Sequence, residues 1–355
     1  MPQQVAGIQL KGPTHGLGIS GSHDIVIRHL RIRPGGTADG TYNTNAAVLI
    51  SGDSRNIVID HCSLQWQNHH ILETYNAGEN ITYQWNIVGE GSATPYGFSM
   101  SMTGGQNGAI RTFSVHHNLI LHSVGSNPMV GATKYYDFRN NVVYNWVGDS
   151  VLTAGSPGNT SILNFVNNHY IAGPNSGEPA HYLRNGDASA DRGGTKIFTE
   201  GNWSPKCPTG CANDWDNNFR DWDFSGTPVA VESKYRVKTP FPVPAVTTLP
   251  TKDVKDTVLA FVGANKPVRD SLDARLVNDV KTGKGYDPSK VGFGPWPTLE
   301  DVPAPADKDH DGMSDAWEMA HGLNPGDPAD GPAFAKNGYT NVENYLNELA
   351  GDPVP

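Results

Sequence analysis

Two histidines and a carboxylate stand close together in the stretch NHHILE, as His69, His70 and Glu73. Because a neutral imidazole has an ordinary pKa of about 6.5, His69 is a candidate for accepting a proton near neutral pH. Glu73, four residues beyond it, is a second candidate for acid–base chemistry. Asn68 and His70 add hydrogen-bonding groups at the same place. We therefore predict that this stretch takes part in catalysis and in substrate binding.

A second candidate site lies near the C-terminus, where acidic residues follow the pattern D-x-D-x-D-G-x5-E. This is the calcium loop of roughly twelve residues, whose ligands are oxygens at fixed positions. The predicted side-chain ligands are Asp307, Asp309, Asp311, Asp315 and Glu318. Gly312 stands at the sharp turn, and Met313 would contribute its backbone carbonyl. The segment before the loop, APA, is no helix, so we predict a structural calcium loop rather than a complete EF-hand.

The first candidate site lies just outside the frame of a repeat, on a strand expected to face the groove. The segment RNIVIDHCSLQW, residues 55–66, has relatives at 23–32, 79–88, 111–120, 134–143, 161–170 and 195–204. Six of the seven copies begin with two apolar side chains that are two residues apart, such as Ile57 and Ile59, and this period of two indicates a strand. Another apolar residue, here Leu64, follows a short bend. Because the copies return every 23 to 34 residues, the sequence predicts an all-β solenoid, a right-handed parallel β-helix.

The bend between the two strands carries one residue type in most copies. The aligned positions are Leu30, Cys62, Asn86, Asn118, Asn141, Asn168 and Asn202. An asparagine buried at this bend can donate a hydrogen bond to the next coil and accept one from the previous coil. We therefore predict an asparagine ladder that satisfies amides which are costly to bury alone.

These repeats resemble those of the pectate lyase superfamily, polysaccharide lyase family 1. The similar segments are NIVIDHCSLQW, FSVHHNLILHS, YYDFRNNVVYNW and KIFTEGNW, and the DHCS motif is that of the bacterial branch. Residues 267–284 and the tail DHDGMSDAWEMAHGLNP are also similar to later parts of such enzymes. The resemblance implies a β-helix that cleaves a uronic-acid-containing polysaccharide by β-elimination. In that reaction a base removes the C5 proton of a uronic acid residue while the C6 carboxylate is neutralised.

This sequence lacks the usual catalytic residues of that family at the matching positions. The family's first calcium-binding carboxylate falls near Ala47, and the acidic pair frequent in the DHCS branch is replaced by Asn68, His69 and His70. The lysine region reads GFSMSMTGG, and the arginine-bearing segment reads SNPM at 126–129. We therefore expect a non-standard active site, without the carboxylates that usually hold a catalytic calcium ion.

Three hypotheses remain open for this site. In a lyase, His69 or Lys134 acts as the base, Arg184 or Lys134 binds the substrate carboxylate, and Tyr96 stacks on a sugar face. In a glycoside hydrolase on the same scaffold, Glu73 works with a second acid such as Asp149. In the third hypothesis the β-helix binds glycans without cleaving them. The first hypothesis, a lyase acting on a pectate-like or pectin-like polymer, is the one that we adopt.

The composition of the chain excludes some classes of binding partner. Lysine and arginine total 26 against 36 aspartate and glutamate residues, a net charge of -10, which argues against nucleic acid. No apolar run approaches the roughly 18 residues that span a bilayer. We expect a monomer acting on an acidic polysaccharide, secreted or periplasmic, whose signal peptide is absent from this chain. Cys207 and Cys211 are spaced for a disulfide within one loop, as in exported proteins.

The same patterns divide the chain into three parts. Residues 1–230 are predicted to form the β-helix, and residues 231–300 an extended segment followed by one helix over 267–282. That helix is indicated by apolar residues at every fourth position and by Gly283 as its C-terminal stop. Residues 301–355 are predicted to form the calcium-loop tail.

Overall fold

The computed structural model describes residues 9–11, 16–35, 46–67, 69–76, 78–91, 98–103, 111–131, 133–148, 152–153, 161–177, 182–184, 196–215, 220–222, 228–229, 235–285, 294–299 and 303–351. These residues fall into two compact units. The larger unit extends to Asn265 and resumes from Arg269 to Pro297. The smaller unit contains the described tail residues, 303–351, together with Lys266–Val268.

The larger unit is a parallel β-helix, which confirms the predicted fold. Each complete coil passes through three sheets, here called A, B and C. Sheet A contains β1 (Gln9–Lys11), β4 (Arg31–Arg33), β7 (Ser63–Gln65), β10 (Ile87–Gly89), β13 (Leu119–Leu121), β16 (Val142–Tyr144) and β19 (His169–Ile171). Sheet B contains β2 (Leu17–Ser20), β5 (Val48–Ser51), β8 (His70–Tyr75), β11 (Phe98–Thr103), β14 (Met129–Val130), β17 (Leu152–Thr153), β20 (Tyr182–Arg184), β22 (Arg220–Trp222) and β23 (Pro228–Val229). Sheet C contains β3 (His23–Arg28), β6 (Arg55–Asp60), β9 (Glu79–Gln84), β12 (Thr112–His116), β15 (Tyr135–Arg139), β18 (Ile162–Val166) and β21 (Lys196–Glu200).

Rows of apolar side chains between the sheets form the core. Ile57 and Ile59 of β6 pair in register with Ile81 and Tyr83 of β9, and all four side chains are buried. Leu64 of β7, which follows the bend, is buried in the same cluster. The period of two in each repeat therefore marks the residues that face the interior.

The asparagine ladder is also confirmed. Nδ2 of Asn86 donates to Oδ1 of Asn118 at 3.0 Å, and Asn118 donates in the same way to Asn141 at 3.0 Å. The row continues for two more coils to Asn202, at 3.2 and 2.9 Å. Asp214 ends it by accepting from Nδ2 of Asn202 at 2.8 Å. Because these amides are fully buried or nearly so, the ladder supplies partners that water cannot reach.

Two helices pack on the outer face of sheet A, α1 (Thr251–Phe261) and α2 (Ser271–Thr282). The second ends at Gly283, in the left-handed conformation, as predicted. The first corrects the prediction that the chain is extended up to residue 265. Val254 and Val258 recur at helical spacing, and both are buried. Burial of this apolar stripe favours a helix here, although a segment rich in proline and valine is typical of extended chain.

Buried ion pairs join α2 to the first coil. Arg33 donates to Asp270 at 2.6 Å and to Asp273 at 2.9 Å, and Arg31 donates to Asp270 at 3.0 Å. All four side chains are buried. Because a buried charge is tolerated only when it is paired, these contacts fix α2 on sheet A.

The smaller unit contains α3 (Asp315–His321) and α4 (Asn341–Ala350). Ser314 caps α3, and Thr340 with Glu343 forms a capping box at the start of α4. Trp317 meets Tyr345 edge to face, with ring centroids 5.3 Å apart, so the two helices pack on each other. Across the described chain, no helix has the length and apolarity needed to span a membrane.

Candidate functional site

The third strand of sheet B, β8, positions the predicted catalytic carboxylate. Leu72 and Thr74 are fully buried, and alternation along a strand therefore places Glu73 on the outer face. Thr74 shares a hydrogen bond with the buried hydroxyl of Tyr83, which fixes its inward orientation. His69 lies in the bend immediately before this strand.

His69, His70 and Glu73 come together and are called here the His–His–Glu cluster. Nδ1 of His70 lies 3.0 Å from Nδ1 of His69 and 3.7 Å from Oε1 of Glu73. Nδ1 of His69 lies 4.0 Å from Oε2 of the same carboxylate. The two imidazole rings meet edge to face, with centroids 4.2 Å apart. Three residues that the sequence singled out are thus within reach of one another.

Partial burial controls the charge of the cluster. The side chain of His69 is 22% exposed and that of Glu73 is 13% exposed. Burial lowers the pKa of His69 and the neighbouring His70 lowers it further, whereas Glu73 acts in the opposite direction. The imidazole of His69 is therefore neutral at pH 7 and able to accept a proton.

The donor atoms of the cluster do not fit a calcium ion. Each residue offers one ligand atom, and these atoms lie within 4.8 Å of one another. Calcium takes roughly six to eight oxygen ligands, whereas two of these three donors are imidazole nitrogens. Imidazole nitrogen suits zinc and related transition metals. We therefore derive no step of the reaction through calcium at this position.

Lys134, the alternative base, lies apart from the cluster. It stands in the turn between β14 of sheet B and β15 of sheet C, and it is exposed. Its ammonium group is 5.7 Å from the ring centroid of Tyr135. Because β14 is two strands along sheet B from β8, Lys134 does not lie beside His69 in the part of the chain that the structure describes.

Arg184 ends β20, which is four strands along sheet B from β8. At a strand spacing of about 4.8 Å, the two backbones are about 19 Å apart. Asn68, Tyr96 and Asp149 lie outside the described residues, and their roles stay predictions.

Strand register identifies neighbours of Glu73 that the sequence pattern did not mark. Glu73 pairs with Leu49 on one side and with Ser101 on the other, and Ser101 pairs in turn with Met129. Over these four strands Glu73 is the charged member of an otherwise neutral row. Met129 belongs to the segment where the resemblance places an arginine. Because these neighbours belong to different coils, they can be identified only from the register of the paired strands.

Five acidic side chains converge in the tail. The carboxylates of Asp307, Asp309 and Asp311 offer oxygens within 4.8 Å of one another, as do those of Asp311, Glu318 and Asp330. Glu318 is fully buried, and neither of its carboxylate oxygens has a hydrogen-bond partner. Burial, together with the neighbouring aspartates, raises the pKa of Glu318 to about 7. An all-oxygen donor set with an unpaired buried carboxylate fits a calcium ion.

Asp330 is a candidate ligand that the loop pattern missed, because it lies beyond the twelve-residue motif. Its Oδ2 accepts from the backbone N–H of Asn324 at 2.9 Å, while its Oδ1 has no hydrogen-bond partner. The adjacent Gly331 leaves space for Asp311, since a Cβ at residue 331 would clash with the Asp311 carboxylate. The tail segment therefore brings Asp330 close to the carboxylate of Asp311 in the loop.

Two predicted ligands of the loop make other contacts. Oδ1 of Asp315 accepts from the backbone N–H of Lys308 at 2.8 Å. The backbone N–H of Met313 donates to Asp311 at 2.9 Å, and the Met313 side chain is buried. Ligation by the Asp315 carboxylate and by the Met313 carbonyl stays a prediction.

A cavity of about 920 Å³ lies near the last strand of sheet C, and its lining includes Glu200, Asp214 and Arg236. Asp214 is engaged in ending the asparagine ladder, and Arg236 donates to Asn213 at 2.5 Å. The described lining contains none of the predicted catalytic residues. We assign this cavity no part in the chemistry.

Comparison with known proteins identifies the family. No protein-family model matches the sequence. The chain is 31% identical to the probable pectate lyase C of Aspergillus terreus, over 97% of this chain and 76% of the relative. It is 28% identical to the probable pectate lyase C of Aspergillus flavus, over 97% of this chain and 76% of the relative. The chain therefore belongs to the pectate lyase family.

Two solved structures are also similar at low sequence identity. A pectate lyase bound to a hexasaccharide has a TM-score of 0.44 and 15% identity, covering 72% of this chain and 67% of that chain. The thermostable pectate lyase PL 47 has a TM-score of 0.45 and 15% identity, covering 75% of this chain and 66% of that chain. The relatives named above are fungal, and membership of the bacterial DHCS branch stays a prediction.

Proposed function

We propose that this protein is a polysaccharide lyase that cleaves a uronic-acid-containing polysaccharide by β-elimination. The observation that supports it most is the His–His–Glu cluster, which lies at the start of a sheet B strand in a member of the pectate lyase family. The named relatives are probable pectate lyases, and that name is the reason for assigning a pectate-like polymer.

His69 is the proton acceptor in this proposal. Its neutral imidazole takes the C5 proton of a uronic acid residue, and the electron pair of the C–H bond forms the C4–C5 double bond. The bond from C4 to the glycosidic oxygen breaks, and that oxygen takes up a proton from solvent. Glu73, 4.0 Å from His69, stabilises the imidazolium that forms. His70, 3.0 Å from His69 and 3.7 Å from Glu73, holds the two in position.

The test is incubation of the full chain with pectate, methylated pectin, alginate and glycosaminoglycans. Elimination creates an unsaturated sugar that absorbs in the ultraviolet, and both elimination and hydrolysis create reducing ends. We expect the two signals to rise together on at least one uronide polymer. Reducing ends without absorbance would establish a hydrolase, and binding without either signal would establish a glycan-binding β-helix.

We also propose that the tail binds one structural calcium ion. The ligands would be Asp307, Asp309, Asp311, Glu318 and Asp330, whose oxygens converge in two overlapping groups of three. The buried, unpaired carboxylate of Glu318 supports this assignment, because a cation would neutralise it. The test is calorimetric titration of the full chain with calcium, together with the melting temperature measured with calcium and with a chelator. Absence of binding and an unchanged melting temperature would contradict the proposal.

We place the activity outside the cell. A polysaccharide substrate is encountered there, and Cys207 and Cys211 form a disulfide, which persists in oxidising compartments.

A further inference from the structure

The cavity beside β21 lies away from the His–His–Glu cluster. It has a volume of about 920 Å³ and adjoins the last strand of sheet C. That strand is four positions along sheet C from β9, the strand that follows β8 in the chain. At a strand spacing of about 4.8 Å, the cavity is about 19 Å from the coil of the cluster along the solenoid axis. It also borders a different sheet, so it is separate from the candidate active site.

Two walls of this cavity are fixed by contacts of their own. One wall belongs to the loop that is closed by the disulfide between Cys207 and Cys211, and Cys211 itself lines the cavity. A second wall is the segment 236–238, where the backbone N–H of Val237 donates to the carbonyl of Ile197 at 2.9 Å. Because both walls are already held in place, a ligand would lose little affinity to ordering them.

Small residues elsewhere in the lining leave room for a ligand. Gly201, Gly210 and Ala212 all line the cavity. Gly210 has φ 95°, a conformation in which a side chain would be strained. Small-molecule sites occupy roughly 300 to 1,000 Å³, and the volume of this cavity, about 920 Å³, lies within that range. The cavity can therefore hold a short oligosaccharide.

Charged side chains of both signs line the cavity. Arg236 and Lys238 contribute two cations, and Glu200 contributes an exposed carboxylate. The two cations are two residues apart in the same wall, whereas Glu200 ends β21. A ligand that carries a carboxylate would therefore be attracted to the wall of Arg236 and Lys238 and repelled by Glu200.

Asp214, the fourth charged residue of the described lining, is engaged in the asparagine ladder. Its Oδ1 accepts from the backbone N–H of Asn202, and its Oδ2 accepts from Nδ2 of Asn202, both at 2.8 Å. The hydroxyl of Thr199 also donates to Oδ2. Asp214 is buried, and these donors stabilise its charge. Within the described lining, the charged groups placed to meet a ligand are therefore two cations and one carboxylate.

We propose that this cavity is a second saccharide-binding site, whose ligand is a short oligosaccharide of uronic acid units with free carboxylates. Arg236 and Lys238 bind the carboxylate of the ligand, and the guanidinium can do so through paired hydrogen bonds. Glu200 accepts hydrogen bonds from sugar hydroxyls. A neutral sugar would use only Glu200, and a simple carboxylate would use only the cations. A sugar acid is the ligand class that uses both.

The choice of a uronide among sugar acids rests on the lyase activity proposed above, whereas the cavity contains no residue of the His–His–Glu cluster. A polymer segment bound here is not at the reacting position. The site would therefore hold the enzyme on its polymer by a second contact, which raises the effective concentration of substrate without taking part in the chemistry.

The experiment measures hydrogen exchange of the full chain by mass spectrometry, with digalacturonate, with its dimethyl ester, and with acetate at the same carboxylate concentration. We expect digalacturonate to slow exchange in peptides from 196–215 and 235–238, and the ester and acetate to leave these peptides unchanged. Absence of protection there would overturn the inference. Equal protection by the ester would remove the role of the cations, and equal protection by acetate would remove the role of the sugar, and either result would also overturn it.

Two substitutions at Lys238 test the charge directly. Lys238→Gln removes the ammonium group and Lys238→Glu reverses its charge, while Lys252→Gln is the matched control at an exposed lysine of α1. We expect the digalacturonate concentration for half-maximal protection to rise at least about tenfold in Lys238→Gln and further in Lys238→Glu. The control should keep the wild-type value. Equal values in all three variants would contradict the proposal.

Hydrogen exchange needs no turnover, so the two proposals fail separately. Protection of 196–215 without unsaturated ends on any polymer would leave a saccharide-binding site and overturn the lyase activity. Unsaturated ends without that protection would support the lyase and overturn the second site.

Discussion

Nδ1 of His70 lies 3.7 Å from Oε1 of Glu73, and this contact joins the first residue of β8 to a residue on the outer face of the same strand. His69 lies 4.0 Å from the second oxygen of that carboxylate. The bend before the strand and the strand itself therefore carry parts of one acid–base group. The position of His69 depends on the register of β8, which is set by the burial of Leu72 and Thr74.

Replacing the carboxylate of the cluster should slow the reaction without unfolding the protein. Glu73→Gln keeps the shape of the side chain but removes the charge that stabilises the imidazolium of His69. We expect the rate of unsaturated-product formation to fall by about 10² to 10³, with a melting temperature close to that of the wild type. Glu79→Gln is the matched control, because Glu79 is an exposed carboxylate at the start of β9. Equal rates for the two variants would remove Glu73 from the mechanism.

The β-helix should lose stability in acid because of two buried histidines in one bend. Burial, with Arg139 nearby, lowers the pKa of His116 to about 4, and burial together with His116 lowers the pKa of His117 to about 3. Between an unfolded pKa of about 6.5 and these folded values, the unfolded chain binds more protons. Stability is therefore fully present above pH 6.5 and falls as the pH drops toward 4. The measurement is the midpoint of chemical unfolding between pH 8 and pH 4.5.

His117→Asn should flatten that pH dependence. The backbone at His117 has φ 57°, and Asn140 and Asn167 occupy the same left-handed conformation at the equivalent bends of the next two coils. Asparagine therefore fits the position without a titrating group. The matched control is His310→Asn, since His310 is exposed and also left-handed, with φ 62°. If both variants kept the wild-type slope of stability against pH, His117 would not be the cause.

Breaking the asparagine ladder should cost far more than removing an exposed asparagine. Oδ1 of Asn118 accepts from both the backbone N–H and Nδ2 of Asn86, at 2.9 and 3.0 Å. Asn118→Ala leaves these buried donors unsatisfied, and we expect a loss of about 3 kcal/mol in the free energy of unfolding. Asn278→Ala, on the exposed side of α2, should change it by less than about 0.5 kcal/mol. Similar losses in the two variants would show that the ladder contributes little.

Calcium affinity should depend on Asp330, although it lies outside the loop motif. Asp330→Asn and Glu318→Gln each remove a charge from the converging carboxylates, and we expect calorimetric affinity to fall at least about tenfold. Asp327→Asn is the control, because Asp327 is exposed and its oxygen accepts only from the backbone N–H of Ala329 at 3.2 Å. Wild-type affinity in Asp330→Asn would leave the twelve-residue loop as the whole site.

Removing calcium should loosen the tail and leave catalysis in place. The proposed ion is held by tail residues alone, whereas the His–His–Glu cluster belongs to the β-helix. We expect a chelator to increase proteolysis within 303–351 while the rate of product formation is retained. Parallel loss of tail order and of activity would contradict this separation.

Local sequence was sufficient to predict the parts of the fold that repeat. A period of two identified the buried rows, and the asparagine register identified the bend and its ladder, because both are set by residues close together in the chain. The helix α1 was missed, since its apolar stripe of Val254 and Val258 is short and follows a Pro-rich segment. What decides that helix is its burial on sheet A, which depends on residues more than a hundred positions away.

The candidate sites could likewise be predicted from the sequence only in part. His69, His70 and Glu73 are neighbours in sequence, so their proximity could be predicted. Leu49 and Asp330 could not be found, because strand register brings the first beside Glu73 and the folding of the tail brings the second beside Asp311. Lys134 was predicted as an alternative base, and the structure places it directly before β15 of sheet C, where its role stays a prediction.

The most direct test of the central claim compares two substitutions at the candidate bases. The rate at which unsaturated ends form on the uronide polymer that the wild-type chain cleaves is measured for His69→Gln and for Lys134→Met, with melting temperatures to confirm folding. Elimination with His69 as the base predicts a loss of at least about 10² for His69→Gln and a rate close to wild type for Lys134→Met. Full activity of His69→Gln would contradict the claim, whatever the result for Lys134→Met.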